Sequence, residues 1–69
     1  MDEAVAEILE TLIDRHGLLH ILTGLELVCS EKAEHIRDNW QDARLARLWD
    51  RAARVCGNAA RNDAVIILP

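Results

Sequence analysis

Apolar residues recur at steps of three and four along the first part of the chain, which is the spacing of one helical face. These positions are Val5, Ile8, Leu9, Leu12 and Ile13. Acidic residues form a second line at the same spacing: Glu3, Glu7, Glu10 and Asp14. Asp2 is a suitable N-cap, and Gly17 can end a helix because glycine accepts the left-handed conformation. The pattern predicts a helix at about 3–15.

The longest apolar-periodic stretch follows and predicts a central helix at about 18–37. The apolar face of this helix is formed by Leu18, Leu22, Leu25, Cys29, Ala33 and Ile36. Leu19, Ile21 and Val28 widen this face. Such a wide apolar face indicates a helix that is covered on more than one side. Thr23 and Glu26 also match a capping box, which would allow a break near Gly24. A single helix is favoured because the apolar period continues through Gly24.

The third segment begins near Asn39, which can act as an N-cap, with Asp42 in the first turn. Its apolar positions are Leu45, Leu48, Trp49, Ala52, Val55 or Cys56, and Ala59. The prediction is a helix at about 40–56, reaching 61 if Gly57-Asn58 does not end it. Residues 62–69 form an apolar C-terminal arm, which we expect to be extended or loose and which could serve as a docking peptide.

Together these segments predict an all-α fold with three helices in up-down-up order and a single domain, residues 1–69. A chain of 69 residues has a marginal core, because cores of this size supply only about 3–5 kcal/mol. The central helix has more apolar surface than two neighbours would cover. We therefore predict a bundle-like homodimer with helix two and part of helix three at the interface.

Composition and charge restrict the functional classes. The net charge of −4 and pI of about 5.2 argue against a generic nucleic-acid binder. An apolar content of 51% argues against disorder. No apolar run approaches the length of a membrane span, and the start of the chain lacks the basic region of a signal peptide. We expect a cytoplasmic protein with Cys29 and Cys56 as reduced thiols.

The most regular polar pattern is a row of arginines in the third segment: Arg44, Arg47, Arg51 and Arg54, continued by Arg61. Arginine forms bidentate pairs with carboxylates, so the row favours directed carboxylate pairing over diffuse attraction and would allow an acidic protein partner. The acidic line of the first segment could supply that partner within the chain or across a dimer. The alternatives are that both lines are solvated, or that the row binds nucleic-acid phosphates.

A metal or small-ligand site is the weaker alternative. Its candidate ligands are Cys29, Glu31, Glu34 and His35, all of residue types that bind zinc or iron. None of the established ligand spacings is present, and a solvated helix face explains the same residues. His16 and His20 are four residues apart, but Gly17 is expected to break the helix between them. No cofactor is predicted, and no catalytic constellation or enclosed cleft is expected, so the chain is not predicted to be an enzyme.

The two tryptophans are the remaining candidates for partner binding. Trp49 lies on the predicted apolar face and is expected to anchor the core or a dimer interface, because its large ring is the main apolar surface available. Trp40 lies in a polar setting, and we expect it to fill the junction between helices two and three, with ligand stacking as an alternative.

Four short motifs resemble short bacterial, especially cyanobacterial-type, all-helical proteins without an assigned function. They are DRHGL (14–18), CxEKAEHI (29–36), NWQD (39–42) and WDRAA (49–53). The resemblance covers about residues 12–56 and departs at Gly57-Asn58 and in the apolar tail. It implies a bacterial, cytosolic, helical protein. The leading hypothesis is a small interaction or regulatory module that acts through homodimerisation and protein-partner binding.

Overall fold

The computed structural model of the chain describes residues 1–69 and is all-α, without strands. Its helices are α1 (Glu3–His16), α2 (Leu18–His35), α3 (Ala43–Ala60) and α4 (Asp63–Ile67). A π-helical turn, Ile36–Trp40, continues α2. The prediction of three helices is therefore corrected to four. None of the helices combines the length and apolar composition that crossing a membrane requires.

The predicted ends of the first helix are confirmed. The Asp2 side chain accepts a hydrogen bond from the Ala4 N–H at 3.0 Å. Gly17 adopts φ 86° and ψ 149°, and its N–H donates to the Ile13 carbonyl at 2.7 Å. Helix α2 then runs past Gly24 without a break, as expected. The Thr23 hydroxyl donates to the Leu19 carbonyl at 2.9 Å, within the helix, instead of capping a new one.

The junction between α2 and α3 differs from the prediction. Asp42, and not Asn39, caps α3, because its carboxylate accepts from the Leu45 N–H at 3.0 Å. The Asn39 amide instead donates to the His35 carbonyl at 3.0 Å and so belongs to the preceding turn. Gln41 takes the left-handed conformation (φ 54°) and reverses the chain. The third helix therefore starts at Ala43 rather than near residue 40, and it passes Gly57 to end at Ala60.

The C-terminal arm is partly helical, in contrast to the expected extended or loose arm. Asn62 caps α4 by accepting from the Ala64 N–H at 2.9 Å. Helix α4 contacts both α2 and α3, and Val65 is half-buried there. A local cap and two neighbouring helices thus suffice to order one short helix in a segment rich in β-branched residues.

Helices α2 and α3 form an antiparallel hairpin, and α1 stands apart from it. Helix α1 contacts only α2, has no buried residue, and has no Cα atom within 8 Å of α3. The three long helices therefore do not share one core within the chain. The molecule measures 40 × 29 × 17 Å, and its radius of gyration is 13.9 Å. A folded domain of this length typically has a radius of about 11 Å.

Candidate interaction surface

The interior of the α2–α3 hairpin is built from small residues. On α3 the buried positions are Ala46, Ala53, Gly57 and Ala60. They meet Cys29, Ala33 and Ile36 of the facing helix and turn. Small side chains let two helices approach closely, so the bulkier residues next to them are left outside. The apolar pattern of the sequence did not predict that these alanines would be buried. Ala46, Ala53 and Ala60 are seven residues apart, which is a coiled-coil period and could have revealed them.

Most bulky apolar residues of the hairpin lie on one of its two broad sides, whereas Leu27 lies on the other. We call this surface the hairpin apolar face: Ile21, Leu25, Val28, Leu45, Trp49, Ala52 and Cys56. The Lys32 ammonium lies 5.3 Å from the centroid of the Trp49 ring, which shows that these sides of α2 and α3 adjoin. Leu25 and Val28 remain 43% and 49% exposed. Leu48 and Val55 extend the face at its outer edge. Of the positions predicted to form the core, Cys29, Ala33 and Ile36 are buried, whereas the bulky residues of this face remain at the surface.

The opposite side of the hairpin is polar. Arg37 pairs with Asp50 at 2.6 Å, and Arg61 pairs more loosely with Glu26 at 3.9 Å. An open groove of about 860 Å³ lies between these pairs and includes His20, Ser30 and Arg54 in its lining. Exposed pairs of this kind contribute about 0–1 kcal/mol each. The hairpin is thus an amphipathic layer, apolar on one side and charged on the other.

Four of the five arginines in the row are exposed and make no ion pair in the chain. Arg44, Arg47, Arg51 and Arg54 all face solvent on α3, and only Arg61 of the predicted row has a carboxylate partner. The acidic line of α1 is likewise exposed and unpaired. Pairing of the two lines within one chain, which the sequence left open, does not occur because α1 does not reach α3.

The two tryptophans have different surroundings. Trp49 is half-buried under Lys32, on the hairpin apolar face. Trp40 is 66% exposed and does not fill the helix junction as expected. Its ring meets His35 edge-on, with centroids 6.1 Å apart, because it belongs to the turn that ends the second helix. Trp40 and His35 line a shallow groove of about 510 Å³ at this end of the hairpin apolar face.

The four residues of the metal alternative do not come together. Cys29 is buried against α3, whereas Glu31, Glu34 and His35 are exposed on the other sides of α2. The helical rotation of about 100° per residue separates them in this way. No three histidine, cysteine or acidic side chains in the chain form a cluster that could hold a metal ion.

Cys29 and Cys56 are free thiols that meet across the hairpin. Burial raises the pKa of the Cys29 thiol, and the neighbouring Cys56 thiol raises it further, while Lys32 opposes the change. A nucleophilic cysteine needs a lowered pKa, so the surroundings of Cys29 suit packing rather than catalysis.

Comparisons of the chain with known protein families, curated proteins and solved structures find no match.

Proposed function

We propose that the chain is a small cytosolic interaction module that acts by pairing with a second copy of itself and by binding a partner protein. The observation that carries this proposal is its unusually large exposed surface. The accessible surface is 5503 Å², against about 4,400 Å² expected for a folded monomer of this mass. The excess of roughly 1,100 Å² exceeds the approximately 800 Å² per partner of a standard protein interface.

The exposed surface is of the kind that protein interfaces use. Large apolar side chains are exposed on every helix, including Ile8 (60%) on α1, Val28 (49%) on α2 and Val55 (68%) on α3. Contiguous apolar patches on soluble proteins mark interaction sites. A single layer of helices with one apolar side needs a second layer to cover it.

The arginine row supports binding of an acidic protein partner in addition to self-association. Four guanidinium groups at helical spacing on α3, without partners in the chain, can pair with carboxylates. Nucleic acid is the alternative ligand for the same row, and the net charge of −4 disfavours it. Binding to a labelled oligonucleotide that falls steeply with salt and is lost in Arg47→Glu/Arg51→Glu would favour nucleic acid.

We propose no enzymatic activity and no bound cofactor. The two grooves are open and shallow, and the chain lacks the enclosed, convergent polar site of an enzyme. The Cys29 environment also works against thiolate chemistry.

Multi-angle light scattering on the purified chain tests the central claim. We expect the mass of a dimer at micromolar concentration. A mass of 7.8 kDa over the whole accessible concentration range would refute self-association.

A further inference from the structure

We infer that the chain pairs by exchange of its first helix: α1 of each copy lies on the hairpin apolar face of the other copy. This inference depends on the proposed self-association and specifies its surfaces. It assigns a partner to the two apolar surfaces that the single chain covers only in part, namely the apolar side of α1 and the hairpin apolar face.

Helix α1 is unable to cover the hairpin apolar face of its own chain. Only Gly17 separates His16, the last residue of α1, from Leu18, the first of α2. Antiparallel neighbouring helices are usually joined by two to eight residues, so a single residue is too short to fold α1 back along the hairpin. Short connections of this kind favour exchange of an element between copies.

The two surfaces are both apolar and free of opposing charge. The apolar side of α1 is formed by Val5, Ile8, Leu9, Leu12 and Ile13, and contains no charged residue. The hairpin apolar face is bordered by Lys32, whose ammonium already lies over the Trp49 ring, and by the exposed Glu31 and His35 beside Val28. Contact between them would bury apolar side chains without burying an unpaired charge.

Charge also favours α1 of a second copy as the occupant. Residues 2–16 contain five acids and one arginine, whereas residues 43–61 contain five arginines and one acid. The acids of α1 lie opposite its apolar side and remain in solvent when that side is covered. They attract the arginine row of the other copy over a distance and disfavour contact between two copies of α1.

The size of the surfaces is sufficient for stable association. The accessible surface of 5503 Å² exceeds that of a folded monomer of this mass by roughly 1,100 Å², and a standard interface needs about 800 Å² from each partner. Because the exchange is reciprocal, each copy contributes one α1 and one hairpin apolar face, so the contact forms twice in the dimer.

Two substitutions test the two surfaces separately. Ile8→Glu places a charge on the apolar side of α1, and Val28→Glu places one on the hairpin apolar face. Both side chains are exposed in the single chain, at 60% and 49%, so the helices themselves should fold normally. We expect each substitution to raise the dimer dissociation constant at least about 100-fold, since the lost contact occurs twice.

Matched controls are available on the same helices. Leu27 adjoins Val28 in sequence, is 60% exposed and points to the other side of α2. Thr11→Glu adds a charge to α1 away from its apolar side. Leu27→Glu and Thr11→Glu should leave the dissociation constant within about threefold of wild type, and circular dichroism should show the same helix content in all variants.

Mixing the two variants tests the exchange itself. The Val28→Glu chain retains an intact α1, and the Ile8→Glu chain retains an intact hairpin apolar face. The mixture should therefore form a heterodimer with one of the two contacts, at a concentration where each variant alone is monomeric. Light scattering and native mass spectrometry report the result.

Each outcome has a distinct meaning. A wild-type dimer that survives Ile8→Glu overturns the exchange of α1 and leaves the proposed self-association standing. A mixture in which no heterodimer forms also overturns the exchange. A monomeric wild-type chain refutes the self-association and the exchange together.

Discussion

Gly17 and Gly24 lie at positions with opposite conformational requirements. Gly17 has φ 86° and ψ 149°, a region that is essentially open only to glycine. Gly24 lies inside α2, and beyond its adjacent residues and the local helix backbone no atom lies within 4 Å of where a Cβ would be. One glycine thus sets the direction in which α1 leaves the hairpin, and the other weakens the helix that contains it.

Alanine substitutions should separate these two roles. We expect Gly17→Ala to lower the free energy of unfolding by about 1–3 kcal/mol, because alanine is strained at this φ and ψ. Gly24→Ala should raise it by up to about 1 kcal/mol through helix propensity. Urea denaturation followed by circular dichroism measures both. Equal effects of the two substitutions would contradict the assigned backbone conformations.

The cysteine pair makes a second prediction at the residue scale. Burial and the Cys56 thiol raise the pKa of Cys29 above the ordinary thiol value, so less thiolate is present at mildly alkaline pH. We expect iodoacetamide to modify Cys29 more slowly than the half-exposed Cys56. Mass spectrometry of the native protein measures the two rates, and the protein unfolded in urea is the control, in which the rates should converge.

The same pKa shift affects stability in a defined direction. A thiol whose pKa is raised in the folded state stabilises that state fully below its unfolded pKa, and loses the contribution as pH rises through the folded value. The melting temperature should therefore fall above the ordinary thiol pKa of about 8.5. Cys29→Ala should reduce this fall.

At the scale of elements, local hydrogen bonds determine which of two candidate residues, Asn39 or Asp42, caps the start of α3. Both Asn39 and Asp42 are suitable N-cap residues by type. Asn39 is used by the π-helical turn, where it donates to the His35 carbonyl, which leaves Asp42 to cap α3. The turn between the helices is correspondingly short and includes the left-handed Gln41.

Removal of each side chain tests this assignment. Asp42→Ala should cost about 1 kcal/mol of stability, because the Leu45 N–H loses its partner at the helix start. Asn39→Ala should cost less, since the hydrogen bonds of Asn39 are exposed and cap no helix. Thermal melts of the two variants compare them, and a larger loss in Asn39→Ala would contradict the observed cap.

For the whole molecule, the outstanding property is the small buried fraction. Only seven of 69 residues are buried, and none of the large side chains is fully buried. A core made mainly of alanine, one isoleucine and one cysteine contributes little hydrophobic stabilisation. Stability of the folded chain is therefore expected to depend on what covers its exposed apolar surface.

Linkage between folding and association makes this dependence measurable. If the dimer is the stable form, the melting temperature rises with protein concentration, because the partner chain acts as a ligand of the folded state. Differential scanning calorimetry over a range of concentrations should show this rise for the wild type and for Leu27→Glu. The melting temperature of Ile8→Glu should stay constant.

The sequence by itself determined the class of fold and the positions of the first two helices. Periodic apolar residues, Asp2 and Gly17 act over one or two turns, so their effects can be predicted from spacing alone. The exposed arginine row follows from the same periodicity. Residue type alone does not resolve whether Asn39 or Asp42 caps the third helix, because both are suitable caps. It also does not resolve whether the arm after Asn62 is helical or extended.

Only the tertiary structure decided which apolar face of each helix is buried. The third helix carries a small-residue line through Ala46, Ala53 and Ala60 and, on its opposite side, the bulky residues Leu48 and Val55, and periodicity ranks the bulky residues first. Close approach of two helices favours the small line, which leaves the bulky side chains at the surface. The physical reason is geometric: burial depends on the separation of the helices and on the single-residue connection at Gly17, and both are properties of the assembled chain.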